Sequence, residues 1–168
     1  WSSDVCSSDL VGGFLASWII GYGVVQSIAP MLINHGKNST PGRLQVFIWA
    51  SLLTGVPAAI ALGINSSLPI ETVIIGGLLI FGAVFAINSS LHSYLIVNYA
   101  KSDGVSLDVG FYYMANALGR LLGTLLSGWI YQAEGLPACL WVSSGFIALA
   151  AIISLALPHS TNISDKKK

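Results

Sequence analysis

The stretch YYMANALGRLLGTLLSGW, residues 112–129, decides the fold because it is long, apolar and helical in pattern, yet carries an arginine at its centre. A membrane-spanning helix needs about 20 mostly apolar residues, and this stretch with its flanks supplies them. Arg120 would lie about 18 Å into a span that starts near Asp108, at about 1.5 Å per residue, close to the bilayer midplane. A charge at that depth costs about 3 kcal/mol or more, so Arg120 is expected to face protein or water rather than lipid.

The composition of the whole chain agrees with a membrane protein. Of its 168 residues, 54% are hydrophobic and 8% are charged, whereas a soluble domain carries about 25% charged residues. The formal net charge is zero. A neutral chain offers no basic surface for a polyanion, so no nucleic-acid partner is expected.

Continuous apolar runs divide the chain into segments that are each long enough to cross a bilayer. They are separated by short connectors rich in Gly, Pro, Asn and Ser, which force neighbouring helices to run antiparallel. Continuous rather than alternating hydrophobicity excludes a β-barrel. The sequence therefore predicts an all-α membrane protein, with residues 11–157 forming a bundle of five transmembrane helices at about 11–33, 44–64, 72–100, 109–131 and 138–157.

The first ten residues, WSSDVCSSDL, differ from the rest of the chain. They are polar and rich in serine, and they resemble a translated sequencing adaptor. We interpret residues 1–10 as a non-native leader and expect the native protein to begin further upstream. Cys6 and Cys139 fit no metal-ligand spacing, and neither a metal nor a cofactor is expected.

Basic residues segregate to one side of the predicted bundle. The second and fourth connectors carry Glu71 and Glu134 and no Lys or Arg. The first connector, the third connector and the tail carry every Lys and Arg other than Arg120, namely Lys37, Arg43, Lys101, Lys166, Lys167 and Lys168, and the first connector also carries His35. By the positive-inside rule, that side is cytoplasmic. The sequence thus predicts a multi-pass protein of the plasma (inner) membrane, with residues 158–168 as a cytoplasmic basic tail.

Arg120 belongs to a polar stripe within its predicted helix. Asn116, Arg120 and Thr124 recur every four residues and share a face. The planar fork of guanidinium donors suits an anionic substrate; alternatively, it binds backbone carbonyls or a partner helix and locks the bundle. No Asp or Glu lies at mid-membrane depth in this chain, which favours the ligand. Next to the stripe runs a seam of small residues suited to close helix packing, Ala115, Gly119, Gly123 and Ser127.

Two other predicted helices carry polar candidates. Asn88 and His92 lie four residues apart on the third helix, where the histidine could titrate or donate to an anion. Alternatively, His92 is neutral and hydrogen-bonded within the bundle. Gln26 on the first helix is a further candidate, because an amide in lipid needs partners. No phosphate-binding loop or HExxH motif is present, so we expect no enzyme.

Three stretches carry a family resemblance: IIGYGVVQSIAP, FAINSSLHSYLIV and SLDVGFYYMANALGRLLGTLLSG. On the basis of these stretches, the chain resembles the C-terminal part of a twelve-helix major facilitator superfamily transporter. Its five predicted spans would correspond to helices eight to twelve of that fold. Within the superfamily it resembles the ArsJ-type organoarsenical efflux permeases. The resemblance implies a missing N-terminal half and alternating access.

The resemblance also implies a cargo, 1-arseno-3-phosphoglycerate, exported in arsenate resistance. A glyceraldehyde-3-phosphate dehydrogenase makes this compound from arsenate, so a functional link to that enzyme is implied. Two alternatives stay open: a major facilitator exporter of another small solute, such as a drug, sugar or carboxylate, and a non-transporting membrane scaffold.

Overall fold

The computed structural model describes residues 2–33, 43–99 and 105–157, and these ranges are almost entirely helical. The helices are α1 (Ser2–Ile33), α2 (Arg43–Ile64), α3 (Ile70–Tyr99) and α4 (Val105–Ser154). Each of the four is long and apolar enough to cross a membrane. The predicted all-α, multi-pass membrane fold is confirmed within the described ranges.

The predicted number of helices is wrong by one. Five were expected, whereas α4 alone takes in both the 109–131 and the 138–157 spans. The connector between them contains the turn residues Gly135 and Pro137, but only Gly135 leaves helical geometry, with φ 80° and ψ −174°. The two predicted spans therefore follow one another within a single element that is interrupted at Gly135.

Gly135 nevertheless reverses the direction of α4. The Cys139 thiol donates a hydrogen bond to the Ser127 carbonyl oxygen at 3.4 Å. In a straight helix these residues would be about 18 Å apart, at about 1.5 Å per residue. Therefore α4 is a hairpin with a first arm, 105–134, and a second arm, 136–154. Glycine suits the break because a Cβ would disfavour its positive φ.

Helices α2 and α3 pack antiparallel through glycine contacts. A Cβ on Gly63 would lie 2.7 Å from Val73, and a Cβ on Gly77 would collide with Ile60. Hence the early part of α3 lies against the end of α2, and later residues of α3 lie against earlier residues of α2. The short connector between them begins with hydrogen bonds from the backbone N–H groups of 65 and 66 to carbonyls of the last turn of α2.

Helices α1 and α3 run parallel. The Trp18 indole N–H donates to the Leu78 carbonyl at 2.9 Å, and the Tyr22 ring lies 5.9 Å from the Phe85 ring. The numbers of the contacting residues rise together along α1 and α3, so the two helices point in the same direction. This is expected because α2, which lies between them in the sequence, runs in the opposite direction. This arrangement agrees with the predicted reversal of direction at each of the first two connectors.

The buried core is small and lies around α2. Val46 packs with Leu91 and Leu95 of α3. On the other side, the buried Ser144 hydroxyl donates to the Thr54 carbonyl at 2.8 Å and ties the second arm of α4 to α2. The first arm of α4 is exposed along most of its length.

Some predictions fall outside what the structure decides. Helix α1 begins at Ser2, earlier than the expected start at 11, and the adaptor-like origin of residues 1–10 stays a prediction. His35, Lys37, Lys101 and the tail 158–168 lie outside the described residues. The orientation derived from their charges therefore also stays a prediction.

Candidate functional site

Arg120 is exposed and lies at the middle of the first arm of α4. It is halfway between Val105 and Gly135, about 22 Å from either at about 1.5 Å per residue. Asn116 is exposed one turn earlier on the same face. The Thr124 hydroxyl donates to the Arg120 carbonyl oxygen at 2.8 Å. Because Thr124 is engaged with the backbone, the guanidinium and the Asn116 amide are the outward donors of this stripe.

The polar stripe has a different neighbour on each side. At about 100° per residue, Arg120 lies about 60° around the helix from Gly123, which lines a partly open cavity. On the other side, Leu121 and Leu125 are 58% and 63% exposed, as expected for a surface that meets lipid. Arg120 thus stands at the border between a cavity and an apolar outer face.

The cavity has a volume of about 780 Å³ and lies between α2, α3 and both arms of α4. Its lining is apolar and combines aromatic with small side chains, among them Phe81, Phe85, Gly119, Gly123, Cys139 and Phe146. Most of these residues lie near the middle of their helices or arms, whereas Cys139 lies near the start of the second arm, so the cavity extends from about the depth of Arg120 toward the turn at Gly135. Its size is within the range of about 300–1,000 Å³ typical of small-molecule sites.

The predicted close packing of the small-residue seam is not found at its centre. A Cβ on Gly119 or Gly123 would meet nothing within 4 Å. Both glycines line the cavity instead. Within the described ranges, the seam makes a close contact at Ser127, whose carbonyl accepts from the Cys139 thiol. No helix among the described residues packs closely on Gly119 or Gly123, so close helix packing at these two glycines stays a prediction.

Asn88 and His92 are half-buried neighbours on α3. The His92 Nδ1 lies 2.9 Å from the Asn88 carbonyl oxygen. A carbonyl only accepts, so Nδ1 carries the hydrogen and Nε2 of the neutral ring keeps a lone pair. The Asn88 Oδ1 is buried and has no hydrogen-bond partner among the described residues. This pair therefore offers two acceptors, Nε2 and Oδ1, to a donor from elsewhere.

Gln26 is half-buried on α1. The contacts of Trp18 with the Leu78 carbonyl and of Tyr22 with Phe85 fix the parallel register of α1 and α3. Continued by one turn, that register places Gln26 level with Asn88. In the described ranges no hydrogen bond joins Gln26, the α3 pair and the α4 stripe. The structure thus pairs Asn116 with Arg120 and Asn88 with His92, and does not bring all five candidates into contact.

A comparison with known families finds that the model of the Major Facilitator Superfamily matches residues 3–168. The chain belongs to the major facilitator superfamily. It is also similar to the "Major facilitator superfamily domain-containing protein 10" of Mus musculus, at 23% identity over 133 residues. That alignment covers 79% of this chain and 28% of the mouse protein, so this chain spans about a quarter of its relative's length. No solved structure matches.

Sequence reasoning missed the aromatic walls of the cavity in this major facilitator chain. Phe81 and Phe85 stack with ring centroids 5.7 Å apart, and their spacing of four residues was a readable signal for a shared face. Phe146 and Cys139 complete the wall from the second arm, but only the hairpin brings them there. Among the described residues, no cluster of three or more His, Cys, Asp and Glu could hold a metal ion.

Proposed function

We propose that the full-length protein is a membrane transporter that carries a small anionic solute, with Arg120 as the group that binds the anion. The observation that carries this proposal is a guanidinium at the middle of a membrane-spanning arm, beside a partly open cavity. An unpaired charge at this depth is unfavourable, whereas a charge that meets an oxyanion gains strong paired hydrogen bonds. Asn116, on the same face, would orient the bound anion.

The proposed cargo is an anionic organoarsenical, 1-arseno-3-phosphoglycerate, exported in arsenate resistance. The resemblance to ArsJ-type permeases supports it. The phosphate and arsenate groups of the compound present oxygen atoms that match the planar donor fork of an arginine. A glyceraldehyde-3-phosphate dehydrogenase would supply the compound from arsenate inside the cell. Membership of the superfamily supports transport in general and leaves the cargo to be tested.

The proposed mechanism is alternating access, in which two halves of the protein rock about a site near the bilayer midplane. The half that this chain does not contain would cover the exposed face of Arg120 and complete the site. Asn88 and Gln26 would contribute polar contacts from the neighbouring helices. His92 Nε2 would accept a proton, because Nδ1 is already engaged with the Asn88 carbonyl.

Growth on arsenate tests the proposal. The full-length protein is expressed with its dehydrogenase partner in an arsenate-sensitive bacterial strain, beside Arg120→Ala and Arg43→Ala variants matched for membrane abundance. Wild type and Arg43→Ala are expected to restore growth and to lower cell arsenic, and Arg120→Ala is expected to do neither. Protection by Arg120→Ala equal to wild type would assign the arginine to structure.

The same experiment separates the alternatives. No protection by an abundant wild-type protein would remove the organoarsenical cargo and favour another solute of the same transporter class. No flux of any anion in vesicles would favour a membrane scaffold.

A further inference from the structure

The partly open cavity beside Arg120 contains one polar side chain that is not bonded to any other described residue. Three polar side chains line the cavity, Ser127, Cys139 and Ser143. The Ser127 hydroxyl donates to the Thr124 carbonyl oxygen at 3.0 Å, and the Cys139 thiol donates to the Ser127 carbonyl oxygen at 3.4 Å. Ser143 is exposed and has no hydrogen-bond partner among the described residues. Its hydroxyl is therefore the lining side-chain group that is free to bind a solute.

The position of Ser143 at the cavity follows from its neighbour, Ser144. Ser144 is buried, and its hydroxyl donates to the Thr54 carbonyl oxygen of α2 at 2.8 Å. This bond fixes the rotation of the second arm of α4, and Ser143 lies about 100° around that arm from the face that meets α2. The two adjacent serines thus have separate tasks, because one joins two helices and the other lines the cavity.

The hairpin register places Ser143 close to the depth of Arg120. The contact between Ser127 and Cys139 sets the pairing of the two arms, and Gly123 and Ser143 lie four residues further from the turn on their respective arms. Arg120 is three residues beyond Gly123, which is about 4.5 Å along the helix at about 1.5 Å per residue. Gly123 brings no side chain into this part of the cavity, and even a Cβ there would meet nothing within 4 Å.

We propose that Ser143 binds a hydroxyl group of the transported anion while Arg120 binds its charged group. The inference rests on the proposed function, because it uses the same arginine. It adds a second contact, which selects hydroxylated anions over anions that have no hydroxyl group.

The chemistry of the two side chains supports this division. A serine hydroxyl carries one donor and two acceptor lone pairs, so it can both donate to and accept from a hydroxyl of the solute. A guanidinium has only donors and forms its strongest hydrogen bonds with an anionic group. A solute with an anionic group and a hydroxyl therefore offers each side chain the group that it binds best. The proposed organoarsenical, as a glycerate derivative, has both.

The shape of the cavity admits such a hydrophilic solute. The cavity is partly open and most of its lining residues are exposed, so a bound solute keeps water on its open side and avoids most of the cost of losing hydration. The volume of about 780 Å³ exceeds what a three-carbon anion needs and lies within the range of small-molecule sites. Because the other lining side chains are apolar or already bonded, Ser143 supplies the side-chain contact by which the cavity can recognise a hydroxyl.

The test compares two ligands that differ only by a hydroxyl. The full-length protein in lipid nanodiscs is titrated with radiolabelled phosphoglycerate and with phosphonooxypropionate, which is the same molecule without its hydroxyl group. Ser143→Ala removes the hydroxyl of the protein, and Ser143→Thr keeps one. Ser17→Ala is the control, because the Ser17 hydroxyl donates to the Gly13 carbonyl oxygen of its own helix and does not line this cavity.

The wild type should bind phosphoglycerate about fivefold more tightly than the analogue, as expected for one net hydrogen bond between neutral groups. Ser143→Ala should bind the two ligands within about twofold of each other, whereas Ser17→Ala should keep the wild-type preference. Ser143→Thr should also prefer phosphoglycerate, because it retains a hydroxyl. Arg120→Gln should weaken both ligands at least about tenfold and by a similar factor, since both carry the anionic groups.

Chemical labelling shows whether the solute lies against Ser143. Ser143→Cys is combined with Cys139→Ser, and the introduced thiol is treated with methanethiosulfonate ethylsulfonate, a hydrophilic anionic reagent. Peptide mass spectrometry assigns the label to position 143. The thiol should react in the absence of ligand. Phosphoglycerate at ten times its Kd for this variant should slow the reaction about tenfold, because about a tenth of the protein is then free.

Four results would overturn the inference. Equal affinity of the wild type for the two ligands, with both dependent on Arg120, would leave the proposed anion transport intact and remove the recognition of a hydroxyl. A preference that persists in Ser143→Ala would assign this recognition to another residue. A thiol at position 143 that does not react without ligand would show that another part of the protein covers it. If neither ligand binds the wild type, the proposed function itself fails, and this inference fails with it.

Discussion

Gly82 allows a close approach between α1 and α3, and Gly82→Ala tests how these helices are joined. A Cβ at this position would lie 2.8 Å from Trp18 Nε1, 2.9 Å from Cε2 and 3.0 Å from Cζ2. Atoms cannot remain this close, so the indole must move. The indole is held by its hydrogen bond to the Leu78 carbonyl at 2.9 Å and by stacking on Tyr22 with centroids 5.9 Å apart.

The expected cost follows from these contacts. Overpacking of a tight contact costs about 1–3 kcal/mol. Displacement of the indole also removes an interhelical hydrogen bond, worth about 0.6 kcal/mol on average within membranes. Alanine regains up to about 1 kcal/mol over glycine in helix propensity. The net loss in the free energy of unfolding is therefore about 1–3 kcal/mol.

The assay is an unfolding titration with sodium dodecyl sulfate of the purified full-length protein in mixed micelles. Gly76→Ala is the matched control, because Gly76 is on the same helix and a Cβ there meets nothing within 4 Å. A double-mutant cycle with Trp18→Leu isolates the cause. In that background Gly82→Ala should be neutral or stabilising, which gives a coupling free energy of about 1–3 kcal/mol.

Two outcomes would contradict this reasoning. If Gly82→Ala is no more destabilising than Gly76→Ala, the contact between Trp18 and Gly82 does not hold α1 on α3. If the cost persists in the Trp18→Leu background, the penalty arises from some other contact of Gly82.

Three further substitutions test other joints of the bundle. Gly135→Ala places a Cβ on a residue with φ 80° and ψ −174°, and it should lower the free energy of unfolding by about 1–3 kcal/mol in the same titration. The control Gly128→Ala should not lower it; equal effects of the two substitutions would refute a strained turn at Gly135. Ser144→Ala removes the 2.8 Å hydrogen bond to the Thr54 carbonyl and should lower stability by about 0.6 kcal/mol; unchanged stability would mean that the bond makes no net contribution. Asn88→Leu removes a buried Oδ1 that has no hydrogen-bond partner among the described residues, and it should keep or raise stability while lowering transport in vesicles. A large loss of stability would show that Asn88 has a structural partner in the full-length protein.

The helices were predictable because the length of each apolar run can be counted directly in the sequence. The expected spans 44–64 and 72–100 correspond to α2 (Arg43–Ile64) and α3 (Ile70–Tyr99). A polar or turn-forming connector marks each end. The count failed at α4, because only Gly135, with its positive φ, leaves helical geometry between the two predicted spans, and they join into one element.

The sequence predicted which candidate residues share a face of one helix, but not which residues of different helices lie close together. A spacing of four residues placed Asn116 with Arg120 and Asn88 with His92, as the structure does. Helical periodicity cannot tell which face meets a neighbour, because that depends on how the helices pack. For the same reason the sequence did not show that the glycines at 119 and 123, which were assigned to a packed seam, line the cavity.

The most direct test of the central claim, that Arg120 binds the transported anion, is flux in inside-out vesicles that contain the full-length protein. Radiolabelled phosphoglycerate serves as a stable anion with a phosphate and a carboxylate group. Arg120→Gln should lower kcat/KM at least about tenfold, since a charged hydrogen-bond partner is lost. Arg43→Gln, at the start of α2, should stay within about twofold of the wild type at equal protein content. Flux through Arg120→Gln equal to that of Arg43→Gln would contradict the account and leave the arginine a structural role.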